Sequence, residues 1–204
     1  MKFLFVILSF CVIALLAGAF VFQETQRPLV NESKKAPQEK AAPLPETPVT
    51  PKSFADYAKI LERFKGEDVS KAPVSEKLIA LTFDGGGNDR GAASILDTLQ
   101  KEGMHAAFFL TGRFIEKYPD AVKAISAAGH EIANHTLSHR DLSLLNEEDA
   151  LAEVKGMEEY AKMEGVQVVP FFRFPYGAHR KEEIAAVNGI GYTSVRWTVD
   201  SLGW

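Results

Sequence analysis

Apolar positions divide the chain into three stretches of different texture. From Phe3 to Phe22 apolar or small residues run together, interrupted in polarity only by Ser9. About 20 residues at a helical rise of about 1.5 Å cover about 30 Å, the hydrocarbon thickness of a bilayer. Met1-Lys2 gives a short basic start, which predicts a cytoplasmic N-terminus and export of the rest of the chain. Ala17-Gly18-Ala19 has the small-x-small pattern of a signal-peptidase site, yet the apolar run continues through Phe20, Val21 and Phe22. Residues 1–22 therefore read as a signal peptide or membrane anchor, with the anchor favoured. Residues 23–52 hold six prolines, mixed charges, and neither glycine nor aromatic residue. They carry too little apolar surface to offset the entropy of ordering, and read as a disordered linker with polyproline character.

From Ser53 the periodicity becomes that of a folded domain, 53–204. Phe54, Tyr57, Ile60, Leu61 and Phe64 share one side of a capped amphipathic helix over Ser53 to Phe64. Short apolar runs at Leu78 to Phe83, Ala106 to Leu110, Glu131 to Asn134, Val166 to Phe172 and Tyr192 to Val199 read as strands. Between them Gly91 to Lys101, Asp120 to Ala128, Glu147 to Met163 and Lys181 to Val187 read as helices. Strand–helix alternation with nearly continuous apolar strands predicts an α/β fold on a parallel sheet, open or barrel-like.

Composition narrows the chemistry. Hydrophobic residues at 46% and charged residues at 25% are those of a globular protein, and the net charge of −4 provides no basic footprint for nucleic acid. The single cysteine, Cys11, excludes an internal disulfide framework and a CxxC metal site. A metal would have to use His, Asp or Glu.

In parallel α/β sheets and barrels, function gathers beyond the C-terminal ends of the strands. The polar clusters of this chain fall there: Asp84-Gly85-Gly86-Gly87, His135-Thr136-Leu137-Ser138-His139, Arg173-Phe174-Pro175-Tyr176-Gly177 and Asp200-Ser201-Leu202-Gly203-Trp204. His135 and His139, four apart, would share one face of a helical turn and bind a metal together. Imidazoles with a carboxylate or water suit Zn²⁺, Co²⁺, Ni²⁺ or Fe²⁺. Asp84 precedes glycines that let backbone approach a ligand closely. Arg173 and Asp200 could pair across the pocket, to orient Asp84 or a proton donor or as an ordinary structural ion pair. Tyr176 and Trp204 offer aromatic surface of the kind that sugar grooves use.

Thr82 to Gly87, His135 to His139, Arg173 to Gly177 and Val199 to Trp204 together resemble the four motifs, in order, of the polysaccharide deacetylases, the NodB-homology carbohydrate esterases. The resemblance covers about residues 77–204. It implies a distorted (β/α) barrel that removes acetyl groups from extracellular or cell-wall N-acetylated polysaccharide, peptidoglycan or chitin-like, with a divalent metal ion, zinc or cobalt foremost. By the same resemblance Asp84 matches the general base, and His135 and His139 the metal-binding histidines. Arg173 matches the arginine that orients the base, and the Tyr176 backbone N–H the oxyanion donor. Asp200 matches the carboxylate that tunes a catalytic-acid histidine, and Trp204 an aromatic of the acetyl pocket.

Two departures qualify the expectation. The family's first motif commonly has a second aspartate, a third metal ligand, where this chain has Gly85. The fifth motif, L-x-x-H, which supplies the acid histidine, has no counterpart before the chain ends at Trp204, and His179 is a poor substitute. The expected fold is thus an incomplete barrel, truncated after the fourth motif, behind an N-terminal apolar helix and linker. The alternative function is a catalytically impaired glycan-binding protein or residual deacetylase fragment. A glycosidase using Asp84 and Asp200 fits the residue types but leaves His135 and His139 without a role.

Overall fold

The computed structural model describes residues 54–71 and 78–201. The expected N-terminal apolar helix (1–22), the linker (23–52) and Trp204 lie outside the described residues, all of which belong to one compact unit, 50–204. Among the described residues no helix is long and apolar enough to cross a membrane.

Six strands, β1 (Asp68–Val69), β2 (Thr82–Gly85), β3 (Ala107–Leu110), β4 (Glu131–Asn134), β5 (Phe171–Phe172) and β6 (Thr193–Val195), form one sheet in the order β1-β6-β5-β4-β3-β2. Every neighbouring pair is parallel. Among the described residues six α-helices connect or flank the strands: α1 (Phe54–Arg63), α2 (Ala92–Lys101), α3 (Gly112–Lys117), α4 (Pro119–Ala127), α5 (Glu147–Met163) and α6 (Lys181–Gly189). The strand period of two sorts the side chains into two faces. Phe108, Leu110 and Ile132 pack with Leu99, Ile115, Val122 and Met157 in one helix-covered core. Phe172 joins Leu142, Val154, Phe174, Ile184 and Val187 in a second. Phe109 and Ala133 lie on the opposite, inner face, fully buried.

That inner face is closed by curvature. β5 and β2 are separated by β3 and β4, so in a flat sheet they would lie three spacings of about 4.8 Å apart. Arg173, the residue after β5, nonetheless hydrogen-bonds Thr82 of β2 at 3.0 Å and ion-pairs with Asp84. The sheet is therefore curled into a half-barrel around this side chain: alternation predicts a parallel sheet, open or barrel-like, and the family resemblance implies the incomplete barrel. At the opposite end α1 caps the starts of two strands: the Tyr57 hydroxyl donates to Glu131 at 3.0 Å, and its ring meets Phe171 edge-on at 5.5 Å.

Several expected boundaries shift for local reasons. Leu78 to Leu81 are not strand, and Leu78 and Ile79 are exposed; β2 starts only where β3 can pair with it, at Thr82 opposite Ala107. β5 shrinks from the expected Val166–Phe172 to two residues, because Pro170 has no N–H for a ladder and Phe171 N–H turns back to the Val169 carbonyl. β6 stops at Val195 rather than Val199, although Arg196 N–H still reaches the Val69 carbonyl at 2.8 Å. β1 and α3 are additional elements. The latter is capped by Thr111, whose hydroxyl accepts from Phe114 N–H at 3.1 Å.

Candidate active site

The site is built around Arg173, a guanidinium with only 4% of its side chain exposed. One nitrogen, Nη1, serves Asp84 and the Thr82 hydroxyl on β2, while Nε donates to the Val195 carbonyl of β6 at 3.3 Å. Its plane lies 3.9 Å above the Phe109 ring, with Trp197 farther off at 5.7 Å. Nη2 is buried without a hydrogen-bond partner. One side chain thus holds three strands and fixes one oxygen of Asp84, whose carboxylate stays 39% exposed and open to a reactant. Arg173 pairs with Asp84, because the curl of the sheet brings β2 within reach of the guanidinium; Asp200 is exposed beyond β6.

His135 follows β4 directly. Its Nδ1–H donates to the Arg173 carbonyl at 2.8 Å, which assigns the tautomer and leaves the Nε2 lone pair 3.8 Å from the second oxygen of Asp84. Burial pushes the imidazole pKa down to about 4, against the opposing pull of Asp84. His139 is also shifted downward, again chiefly by burial. The two rings meet edge-on at 4.7 Å, and the Tyr176 ring meets His139 in the same way at 4.7 Å.

The histidines converge, but not through the helical turn that their spacing suggests. Residues 135–139 are a loop in which Thr136 and His139 have φ of 71° and 61°. Asn134 Oδ1 accepts from Thr136 N–H, and the Thr136 hydroxyl accepts from His139 N–H, both at 2.9 Å. These short-range bonds select the left-handed backbone that a helix would not have.

Among the described residues no group of three His, Cys, Asp or Glu is arranged to hold a metal ion. The pair fits a divalent cation as a two-donor site: both imidazoles are held neutral, and that of His135 has its second nitrogen fixed by a carbonyl, as metal-binding histidines require. A third protein donor at residue 85 is lacking, and the space there is occupied. A Cβ on Gly85 would lie 2.6 Å from Leu110 Cδ2, with Phe114 behind at 3.7 Å.

Tyr176 (φ 60°) and Gly177 (φ 64°) make a left-handed turn after Pro175 that leaves the Tyr176 ring exposed. Glycine is favoured at 177, since its φ is strained for other residues and a Cβ would crowd Trp197 at 3.1 Å and Arg196 at 3.3 Å. Trp197 and Thr82 are site residues that sequence reasoning missed: Trp197 falls inside an overlong expected strand, while Trp204 stands out at the strand-end motif. His179 is stacked on Phe174, with its Nε2 3.6 Å from Asp68 of β1.

The buried histidines carry a pH prediction for the chelator-treated protein. An imidazole whose folded pKa lies below the unfolded value of about 6.5 binds fewer protons when folded. Its stabilising effect is complete above that value and is lost as pH falls towards the folded pKa. For His135, falling to about 4, the loss between pH 6.5 and 4 is about 3 kcal/mol. His130, packed against Phe108 and His105 and also shifted downward by burial, adds in the same direction. Urea unfolding across this range should show the decline, and His135→Asn should flatten it; an unchanged slope in the variant would refute the assignment.

Comparison with known proteins accords with this geometry. The family described as polysaccharide deacetylase matches residues 71–195. A peptidoglycan-N-acetylglucosamine deacetylase of Bacillus cereus is 34% identical over 132 residues, 65% of this chain and 48% of that protein. The chain spans about half the length of that relative. PdaA of Bacillus subtilis, a family 4 carbohydrate esterase, superposes with a TM-score of 0.64 at 28% identity, over 73% of this chain and 63% of its own. A family 4 pseudoenzyme from Bacillus anthracis gives a TM-score of 0.61 at 26% identity, over 67% and 50%. The matched region takes in β2 to β6 and the loops carrying Asp84, His135, His139 and Arg173, and the chain belongs to the polysaccharide deacetylase family.

Proposed function

We propose that the protein hydrolyses acetamide groups of an N-acetylated extracellular or cell-wall polysaccharide, and that it does so with a divalent metal ion. The observation that carries this reading is the placement of a half-exposed carboxylate, fixed by a buried arginine, beside two neutral imidazoles at the C-terminal edge of the sheet. Water adds to the acetamide carbonyl, the C–N bond breaks, and acetate and a free amine leave. Asp84 takes the proton from the attacking water and returns it to the nitrogen as the C–N bond breaks; Arg173 keeps its carboxylate aimed. A zinc or cobalt ion held by His135 and His139 would supply Lewis acidity, lowering the pKa of water and polarising the carbonyl. The Tyr176 backbone N–H, set by the left-handed turn, is the donor to the developing oxyanion, a contribution of about 3 kcal/mol. Tyr176 and Trp197 offer the sugar aromatic surface. The N-terminal stretch 1–22 directs export and, uncleaved, tethers the domain to the outer face of the membrane; nucleic acid is not a partner.

A second reading is a glycan-binding protein with little turnover. Gly85, with Leu110 against it where a third ligand would start, favours it, as does likeness to the Bacillus anthracis pseudoenzyme. Acetate release from N-acetylglucosamine oligomers by the full chain decides between them. Release that requires added Zn²⁺ or Co²⁺ and stops with chelator is the expected result. Oligomer binding without acetate, in a folded and metal-loaded protein, would establish the second reading instead.

A further inference from the structure

The loop between the two histidines is held from outside by α5, and the grip is concentrated on one residue. Glu153 is buried, with 6% of its surface exposed. Its Oε2 accepts the Ser138 backbone N–H at 2.8 Å and its Oε1 the Ser138 hydroxyl at 2.7 Å. Its own carbonyl accepts Leu137 N–H at 2.6 Å. An ionised carboxylate is an acceptor only, so it suits a residue that offers two donors, and charge-assisted bonds of this kind are the strong ones. One turn further along α5, Gly156 leaves the space that Leu137 fills: a Cβ there would stand 3.0 Å from Leu137 Cδ2. Gly112, at the start of α3, faces the other methyl: a Cβ there would stand 2.8 Å from Cδ1. Gly112 and Arg113 also donate their amides to the Thr136 and Leu137 carbonyls at 3.0 and 2.9 Å.

This framework bears on a segment whose backbone is unfavourable by itself. Two of the four residues after His135 that end in His139 are non-glycine residues at positive φ. Such conformations persist where the surroundings over-determine them. His135 is independently placed, by β4 and by the Arg173 carbonyl. His139 has no comparable anchor in a strand, and its backbone position follows from the residues just before it.

We infer that Glu153 is a positioning residue for the histidine pair: by gripping Ser138, while Leu137 is seated between Gly112 and Gly156, it sets where His139 stands relative to His135, and with it the affinity for a divalent cation. This rests on the metal-binding reading proposed above. Loss of a group that orients a ligand typically weakens metal binding about tenfold to a hundredfold.

Co²⁺ binding to the full chain, followed by its visible absorption, is the measurement, with amide exchange at Ser138 and ring proximity between His139 and Tyr176 read by NMR on the metal-free protein. Glu153→Ala is expected to weaken Co²⁺ about tenfold to a hundredfold, to speed Ser138 exchange and to separate the His139 and Tyr176 rings. Glu153→Gln, which keeps one acceptor, should recover most of the affinity. Ser138→Ala, which keeps the backbone donor, should fall between wild type and Glu153→Ala, and it guards against a Glu153→Ala chain that fails to fold. Equal Co²⁺ affinity and unchanged ring proximity in folded Glu153→Ala would overturn the inference while leaving the metal reading intact. If the wild-type chain binds no Co²⁺, the metal reading fails; rings that stay together in Glu153→Ala then refute the positioning role as well, and rings that separate there sustain it.

Discussion

Replacing Arg173 by methionine is expected to lower acetate release about 10³-fold while reducing stability by only about 1–3 kcal/mol. The two numbers separate because the partners are unequally hydrated. Arg173 is the buried member of the pair, and Asp84 is the half-exposed one. Removing the arginine leaves a carboxylate that water can reach, so the penalty for an unpaired buried charge is largely avoided. The loss of hydrogen bonds to Thr82 and Val195 is partly offset because Nη2, buried without a partner, no longer has to be desolvated. Methionine also retains contact with Phe109, where the guanidinium lay at 3.9 Å. Activity has no such compensation. Asp84 loses the group that fixes its orientation, and the His135 loop meets a strand end that is no longer clamped across the half-barrel. Arg173→Lys should rescue little, since a point charge cannot serve β2 and β6 at once as the planar fork does. Steady-state kinetics and urea unfolding on the same preparations test this. Parallel losses in both, with activity restored at low temperature, would show that the residue acts through folding alone.

Much of the fold was legible because its signals are local. Asp84, His135 and Arg173 each follow a short apolar run, and a parallel sheet places all such residues at one edge whatever its curvature. α5 runs over Glu147–Met163 as its pattern predicts, with Asn146 as N-cap accepting from Asp149 N–H. The features that escaped are non-local or depend on backbone of unusual sign. The link from Arg173 to Asp84 exists because the sheet curls; the family resemblance implies it, and no short-range pattern does. The turn at 135–139 defeats helical periodicity because Asn134 and Thr136 bond to the backbone nearby. Glu153 reads as one more charge on an amphipathic helix until α5 is placed against the histidine loop. β1, two residues long, is specified by its neighbour β6 and by Ser194 donating to Asp68 at 2.6 Å, not by any run of its own.

Gly85→Asp, the substitution that restores the family's usual carboxylate, is expected to destabilise the protein by about 1–3 kcal/mol. It should yield little gain in metal affinity. A Cβ at this position starts toward α3, 2.6 Å from Leu110 Cδ2, and Leu110 is 1% exposed, packed within the helix-covered core. Accommodation therefore requires Leu110 to leave its rotamer, or β2 to shift. A shift of β2 would move Asp84, the neighbouring residue, with it. Leu110→Val removes the offending methyl's reach at a cost of about 1 kcal/mol. In that background Gly85→Asp should cost less, a coupling of about 1 kcal/mol in a double-mutant cycle. Only there should a third donor raise Co²⁺ affinity, by about tenfold or more. Additive costs, or a full gain in affinity from Gly85→Asp alone, would mean that Leu110 does not guard the position. The outcome bears directly on which of the two functional readings holds. If the double variant gains turnover that the wild type lacks, Leu110 and Gly85 together are what keep this chain from catalysis; if the wild type already turns over, two imidazoles and the Arg173-held carboxylate suffice.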